Sequence, residues 1–126
     1  MQRVIVNMQN FVFSEAIERS LRAGGDFAVS VVQDPREVAR QCSLLAADAL
    51  LMEVTGFTPW LLAERLKIRG AVRKQSPACK IVLLVDENAE QQVAEQVKQA
   101  KRDGLIDQFI YASTSASFLV ALMDTL

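Results

Sequence analysis

Apolar residues along this chain fall into two alternating patterns. Short continuous runs of strand length take turns with stretches in which apolar positions recur every three or four residues. Val4-Ile5-Val6 is the first run, followed by Phe13, Ile17 and Leu21 at helical spacing. Gly24-Gly25 marks the end of that helix, because glycine adopts the left-handed conformation cheaply. Phe27 to Val32 reads as a second strand. Asp34, Pro35 and Glu37 then read as a helix start, with Val38, Cys42 and Leu45 as the buried stripe. Ala49 to Val54 is the third strand. Thr58 and Pro59 read as N-cap and first residue of the next helix, whose inner face continues through Leu62 and Leu66 and whose second half Gly70 weakens. Lys80 to Val85 is apolar enough to be covered on both faces. Asn88 and Gln91 resemble a capping box before a helix through Val93, Val97 and Ala100, which Gly104 stops. Ile106 to Tyr111 is the fifth strand, and Phe118, Leu119, Leu122 and Leu126 stripe the last helix.

Five strand-helix units with short connections predict an α/β fold: a doubly wound, flavodoxin-like (βα)5 sandwich with a five-stranded parallel sheet covered by helices on both faces. Functional groups in such a sheet gather at the carboxyl ends of the strands. Those ends are Asn7-Met8-Gln9, Gln33-Asp34, Glu53-Val54-Thr55, Val85-Asp86-Glu87 and Tyr111-Ala112-Ser113. No repeat, low-complexity stretch or linker interrupts the alternation. Residues 1–126 are therefore expected to form a single domain, with one core that needs neither metal nor disulfide.

Composition narrows the function. A formal net charge of −1, with both signs spread along the chain, argues against electrostatic nucleic-acid binding. No apolar run approaches the ~18 residues of a membrane helix. The N-terminus enters a strand directly, without a signal-peptide pattern, so the expectation is a cytoplasmic protein with no membrane segment. The chain contains no histidine, which removes the commonest general base and metal ligand and makes most hydrolase mechanisms unattractive. Cys42 and Cys79 lack metal-ligand spacing and read as reduced, packed thiols. Neither a metal nor another cofactor is expected.

The order and spacing of these elements, over essentially the whole chain, resemble the receiver domain of bacterial response regulators (the CheY-like family). The resemblance implies a signalling role and places the phosphoacceptor at Glu53, where receivers carry aspartate. It also shows four departures. Receivers hold Mg²⁺ with a pair of acids after the first strand; here the residues are Asn7, Met8 and Gln9. Magnesium usually requires at least one or two carboxylates. Glutamate in place of aspartate moves the carboxylate by about 1.5 Å, one carbon–carbon bond, and in-line transfer is sensitive to such a displacement. The hydroxyl position after the fourth strand falls on Val85, or on Asp86 with a one-residue shift, and neither donates to a phosphoryl group. The lysine position falls on Ala112.

The implied protein is a stand-alone pseudo-receiver: a non-enzymatic signalling domain that is not phosphorylated in the usual way and works through protein contacts. By the same resemblance, Phe109 and Tyr111 belong to the face made by the fourth helix, fifth strand and fifth helix, a common partner surface. A second copy of the chain is one candidate partner; the partner itself is not named by the sequence. The alternative is a flavodoxin-like domain that binds an anionic metabolite or nucleotide at the strand ends, although no glycine-rich phosphate loop is present.

Several residues carry two readings. Glu53 is either a standing phosphate mimic or a solvated carboxylate at a strand-to-loop junction. Glu53, Asp86 and Glu87 either meet around a cation or serve separately, the last two at a helix N-terminus. Arg65, Arg69 and Arg73 recur every four residues, as an anion-binding row or as the wet face of a helix. Trp60 either anchors a partner or covers the loop beneath it.

Overall fold

The structure, a computed structural model, describes residues 1–126. Its elements are β1 (Gln2–Asn7), α1 (Phe11–Gly24), β2 (Phe27–Val31), a 3-10 turn (Pro35–Glu37), α2 (Val38–Leu44), β3 (Ala49–Val54), α3 (Leu62–Gln75), β4 (Lys80–Val85), α4 (Gln91–Arg102), β5 (Gln108–Tyr111) and α5 (Ala116–Asp124). The five strands form one parallel sheet in the order β2-β1-β3-β4-β5. This is the doubly wound flavodoxin-like arrangement that the alternation of runs implies.

Strand residues alternate between the two faces. Val4, Val6, Ala49, Leu51, Val82, Leu84 and Ile110 form one core with Ile17 and Leu21 of α1 and Leu119 and Met123 of α5. Ile5, Leu50, Met52, Ile81, Leu83 and Val85 form the other, against Val38 and Cys42 of α2, Val72 of α3, and Ala94, Val97 and Ala100 of α4. The central strands are covered on both sides, which is why β3 and β4 read as unbroken apolar runs. Cys42 and Cys79 are free and buried in the second core, where the Cys79 thiol donates to the Lys80 carbonyl at 3.9 Å. No helix is long and apolar enough to cross a membrane.

Several local expectations are corrected. α3 begins at Leu62, after a turn containing a cis Thr58–Pro59 peptide, so Thr58 is not its N-cap and Trp60 lies outside the helix. α4 is not opened by a capping box: Asp86 Oδ1 accepts from the backbone N–H of Asn88 and Ala89, each at 3.1 Å, and the helix starts beyond that turn. Leu45 follows α2 and is 40% exposed rather than part of its buried stripe, and Phe118 on α5 is 58% exposed. Gly25 is extended at φ −161°, so it does not end α1 by a left-handed turn. A Cβ there would lie 2.4 Å from the Phe27 ring, and close approach is what the position requires. Gly104, at φ +75°, does end α4 in the left-handed way.

Candidate functional site at the carboxyl edge of the sheet

β1 and β3 are neighbours in register, Asn7 beside Met52, so the loops after them open next to each other. Asn7 is fully buried. Its Nδ2 donates to the carbonyls of Val32 at 2.6 Å and Gln33 at 3.3 Å, tying β1 to the exit of β2. Its Oδ1 accepts from Arg65 Nη1 at 2.6 Å. Carbonyl acceptors on one side and a guanidinium donor on the other fix the orientation of this amide.

Arg65 is 0% exposed and is the largest fully buried side chain in the molecule. It rises from the first turn of α3 into the angle between the ends of β1 and β3. There Nε donates to the Glu53 carbonyl at 2.7 Å and Nη2 to the Asn7 carbonyl at 3.3 Å. The guanidinium carbon lies 4.5 Å from the centroid of the Trp60 ring. This is cation–π range, and the interaction strengthens when both groups leave water. Burial pushes the Arg65 pKa down to about 10, against the attraction of Glu53 and Glu64, so the side chain remains a cation at neutral pH.

The β3–α3 loop sets Trp60 in place. Thr55 N–H donates to the Trp60 carbonyl at 3.0 Å, Trp60 N–H to the Phe57 carbonyl at 2.8 Å, and Phe57 N–H to Thr55 Oγ1 at 3.1 Å. Glu90, at the start of α4, accepts from Gly56 N–H at 3.2 Å and holds the loop from the other side. Trp60 is half-buried, with its ring over the Arg65 guanidinium.

Glu53 is half-buried at the end of β3. Its Oε1 accepts from the backbone N–H of Gln9 at 2.7 Å and of Asn10 at 3.2 Å. Asn10 in turn caps α1, its Oδ1 accepting from Phe13 N–H at 3.0 Å. The carboxylate therefore rests at the positive end of α1, where a negative charge is stabilised. Neither reading from the sequence describes this fully: Glu53 is a latch between β3 and the β1–α1 loop.

The remaining strand-end residues are dispersed. Met8 is 5% exposed and belongs to the core under α1 and α5. Gln9 is exposed and contributes its backbone N–H to Glu53. Val85 is fully buried at the end of β4, and Asp86 is engaged in the turn into α4. Glu87 Oε2 accepts from Ser113 Oγ at 2.9 Å, joining the loops after β4 and β5. Ala112 is half-buried and lines a small apolar cavity of about 110 Å³ with Phe13, Ile17 and Tyr111. Glu53, Asp86 and Glu87 do not form a cation-ligating cluster, and no other three acids or thiols do. None of the five main cavities is lined by Asn7, Met8, Glu53, Val85 or Asp86.

The arginine row is also resolved differently from either reading. Arg65 is buried, and Arg73 donates Nε to the Cys79 carbonyl at 3.2 Å and pairs with Asp107 at 2.5 Å. Arg69 is half-buried, with its Nε enclosed and unbonded. The row faces inward. Spacing alone hinted at this, since Arg65 lies seven residues before the buried Val72 and shares its helix face. An arginine in phase with an apolar stripe was the signal. Phe109 and Tyr111 meet edge-to-face, with ring centroids 5.6 Å apart, half-buried against the core under α4.

No family model matches the chain, and no curated protein matches it. Solved structures do. A response-regulator receiver domain protein from Clostridium thermocellum superposes with a TM-score of 0.79 at 12% identity, over 99% of this chain and 93% of that one. The signal receiver domain of the response regulator NarL from Mycobacterium tuberculosis gives 0.73 at 19% identity, over 98% and 94%. A CheY-like protein, TadZ, from Pseudomonas aeruginosa PAO1 gives 0.72 at 19% identity, over 99% and 98%. At these identities the likeness is one of fold.

Proposed function

We propose that this chain, which has the fold of response-regulator receiver domains, is a receiver-like signalling domain that does not undergo the usual phosphorylation and acts through protein contacts. The observation that carries the reading is the Arg65 guanidinium, bonded to Asn7 and to the carbonyl of Glu53. By the resemblance, metal-binding acids would stand at Asn7, Met8 and Gln9, and the phosphoacceptor at Glu53. A fixed side-chain cation at this junction supplies positive charge without an ion. Phosphoryl transfer further requires a carboxylate oxygen aligned with the incoming phosphorus. Glu53 instead has Oε1 held by two backbone N–H groups. Val85 and Ala112, at the hydroxyl and lysine positions, present no donor side chain.

In this reading Glu53 and Arg65 do structural work at the place where a receiver does chemistry, and the domain has no enzymatic step of its own. Phe109 and Tyr111, on the face of α4, β5 and α5, form the proposed partner surface, with a second copy of the chain as one candidate. The test is an amide-resolved NMR titration with Mg²⁺ followed by beryllofluoride, a phosphoryl mimic. The expected result is no saturable shift at Met8, Glu53, Val85 or Ala112. Saturable shifts centred on those four residues would mean that the edge still takes metal and phosphate, and the reading would fall.

A further inference from the structure

α3 carries five cations, Arg65, Lys67, Arg69, Arg73 and Lys74, against one carboxylate, Glu64, in a chain whose formal net charge is −1. Arg65 and Arg73 are committed inward, to Asn7 and Asp107. Lys67 and Lys74 are not: both are exposed, and neither takes part in an ion pair. They stand on the side of α3 that faces α2 and border a groove of about 640 Å³ between the two helices. Arg40 of α2 closes the opposite wall, held only by Glu37 at 3.4 Å. No carboxylate lines this groove.

The floor between these cations is small and apolar. Gly70 and Ala71 lie at its centre, and Leu44, 64% exposed, stands at one end. Gly70 has no use inside the molecule: a Cβ built there would meet nothing within 4 Å. Glycine in a helix interior is unfavourable relative to alanine, yet here no turn, contact or backbone angle of the chain requires it. Its effect is to let another backbone come close to α3.

We propose that the α2–α3 groove is a docking site for an acidic amphipathic helix of a protein partner. Lys67 and Lys74 are seven residues apart on one face of α3, about 10.5 Å along its axis. Carboxylates seven residues apart on an incoming helix meet that spacing, with apolar residues between them set against Gly70, Ala71 and Leu44. Helices pack at 8–10 Å between axes, and small residues permit the near end of that range. A nucleic-acid strand satisfies the cations but leaves the apolar floor and Leu44 unused, and the chain as a whole has no basic excess. The site lies across α3 from α4, apart from the Phe109–Tyr111 surface, and does not depend on whether Glu53 accepts phosphate.

The test is an NMR titration of the whole chain with a capped 18-residue helical peptide bearing Glu at positions i and i+7 and Leu at i+3 and i+4. Saturable shifts confined to residues 39–44 and 67–75 are expected. Lys67→Glu with Lys74→Glu weakens binding tenfold or more, and Gly70→Leu, which fills the floor without altering charge, abolishes the shifts while the rest of the spectrum is unchanged. Equal binding by the charge-reversed variant, shifts elsewhere, or no saturable shifts would overturn the proposal. A single-stranded oligonucleotide that binds the same residues more tightly than the peptide would overturn the choice of occupant.

Discussion

Arg65 illustrates how one side chain determines what an edge of a sheet can do. Its guanidinium satisfies Asn7 Oδ1 and two carbonyls that face away from water. Truncation removes this donor from three acceptors, two of them buried, each costing about 1–3 kcal/mol if left unsatisfied, so Arg65→Ala is expected to lose about 3 kcal/mol or more. Urea denaturation measures it, and a loss under about 1 kcal/mol would mean that water replaces the guanidinium. Asn7→Asp tests the neighbour. The new carboxylate faces a cation but can no longer donate to Val32 and Gln33, bonds now 2.6 and 3.3 Å long. Net destabilisation of about 1–2 kcal/mol is expected; a more stable Asn7→Asp variant would show that the added charge outweighs the stranded carbonyls.

At the scale of elements, two glycines make opposite predictions from the same substitution. Gly70 sits within α3 at an ordinary helical angle with open space around it, so Gly70→Ala should stabilise by about 0.5–1 kcal/mol. Gly104 also has open space around it, but its φ of +75° is costly for any residue with a Cβ, so Gly104→Ala should destabilise by about 1–2 kcal/mol. Thermal melts of the two variants should move in opposite directions, and a shared sign would contradict a helical Gly70 and a left-handed Gly104. Element types along the chain were legible because apolar runs and helical spacing report burial directly. Element starts were less so. Thr58-Pro59 has the composition of a helix start, yet the chain uses it in a turn that lays Trp60 over Arg65. Local preference of about 1 kcal/mol for a capping residue is small beside what a long-range contact contributes.

For the whole molecule, the two cores on either side of the sheet still leave Phe11, Val12, Leu44, Phe57 and Phe118 exposed. The Phe109–Tyr111 pair lies at the β5 edge, half-buried against the core under α4 and half-open to solvent. Replacing both with polar residues is expected to weaken self-association or partner capture, read by light scattering over a concentration series and by pull-down with the intact fold as control. If neither changes, that face is not the contact surface. The same measurements on Lys67→Glu with Lys74→Glu distinguish the α2–α3 groove from the β5 edge.

The sequence by itself determined the layered α/β fold, since strand-length apolar runs alternating with helical stripes have few other ways to bury themselves. It also determined which residues stand at the strand ends, and hence the absence of acids after β1, of a hydroxyl after β4 and of a lysine after β5. Only the tertiary structure decided what those ends do. Arg65 and Asn7 are 58 residues apart, and Glu53 and Gln9 are 44 apart. No local pattern couples them. Their contacts arise because parallel pairing of β1 with β3 brings two loops together and α3 delivers a cation between them. Hydrogen bonds across such distances depend on the assembled sheet, so a charge that can be read from sequence as part of a wet helix face becomes the largest fully buried side chain of the fold.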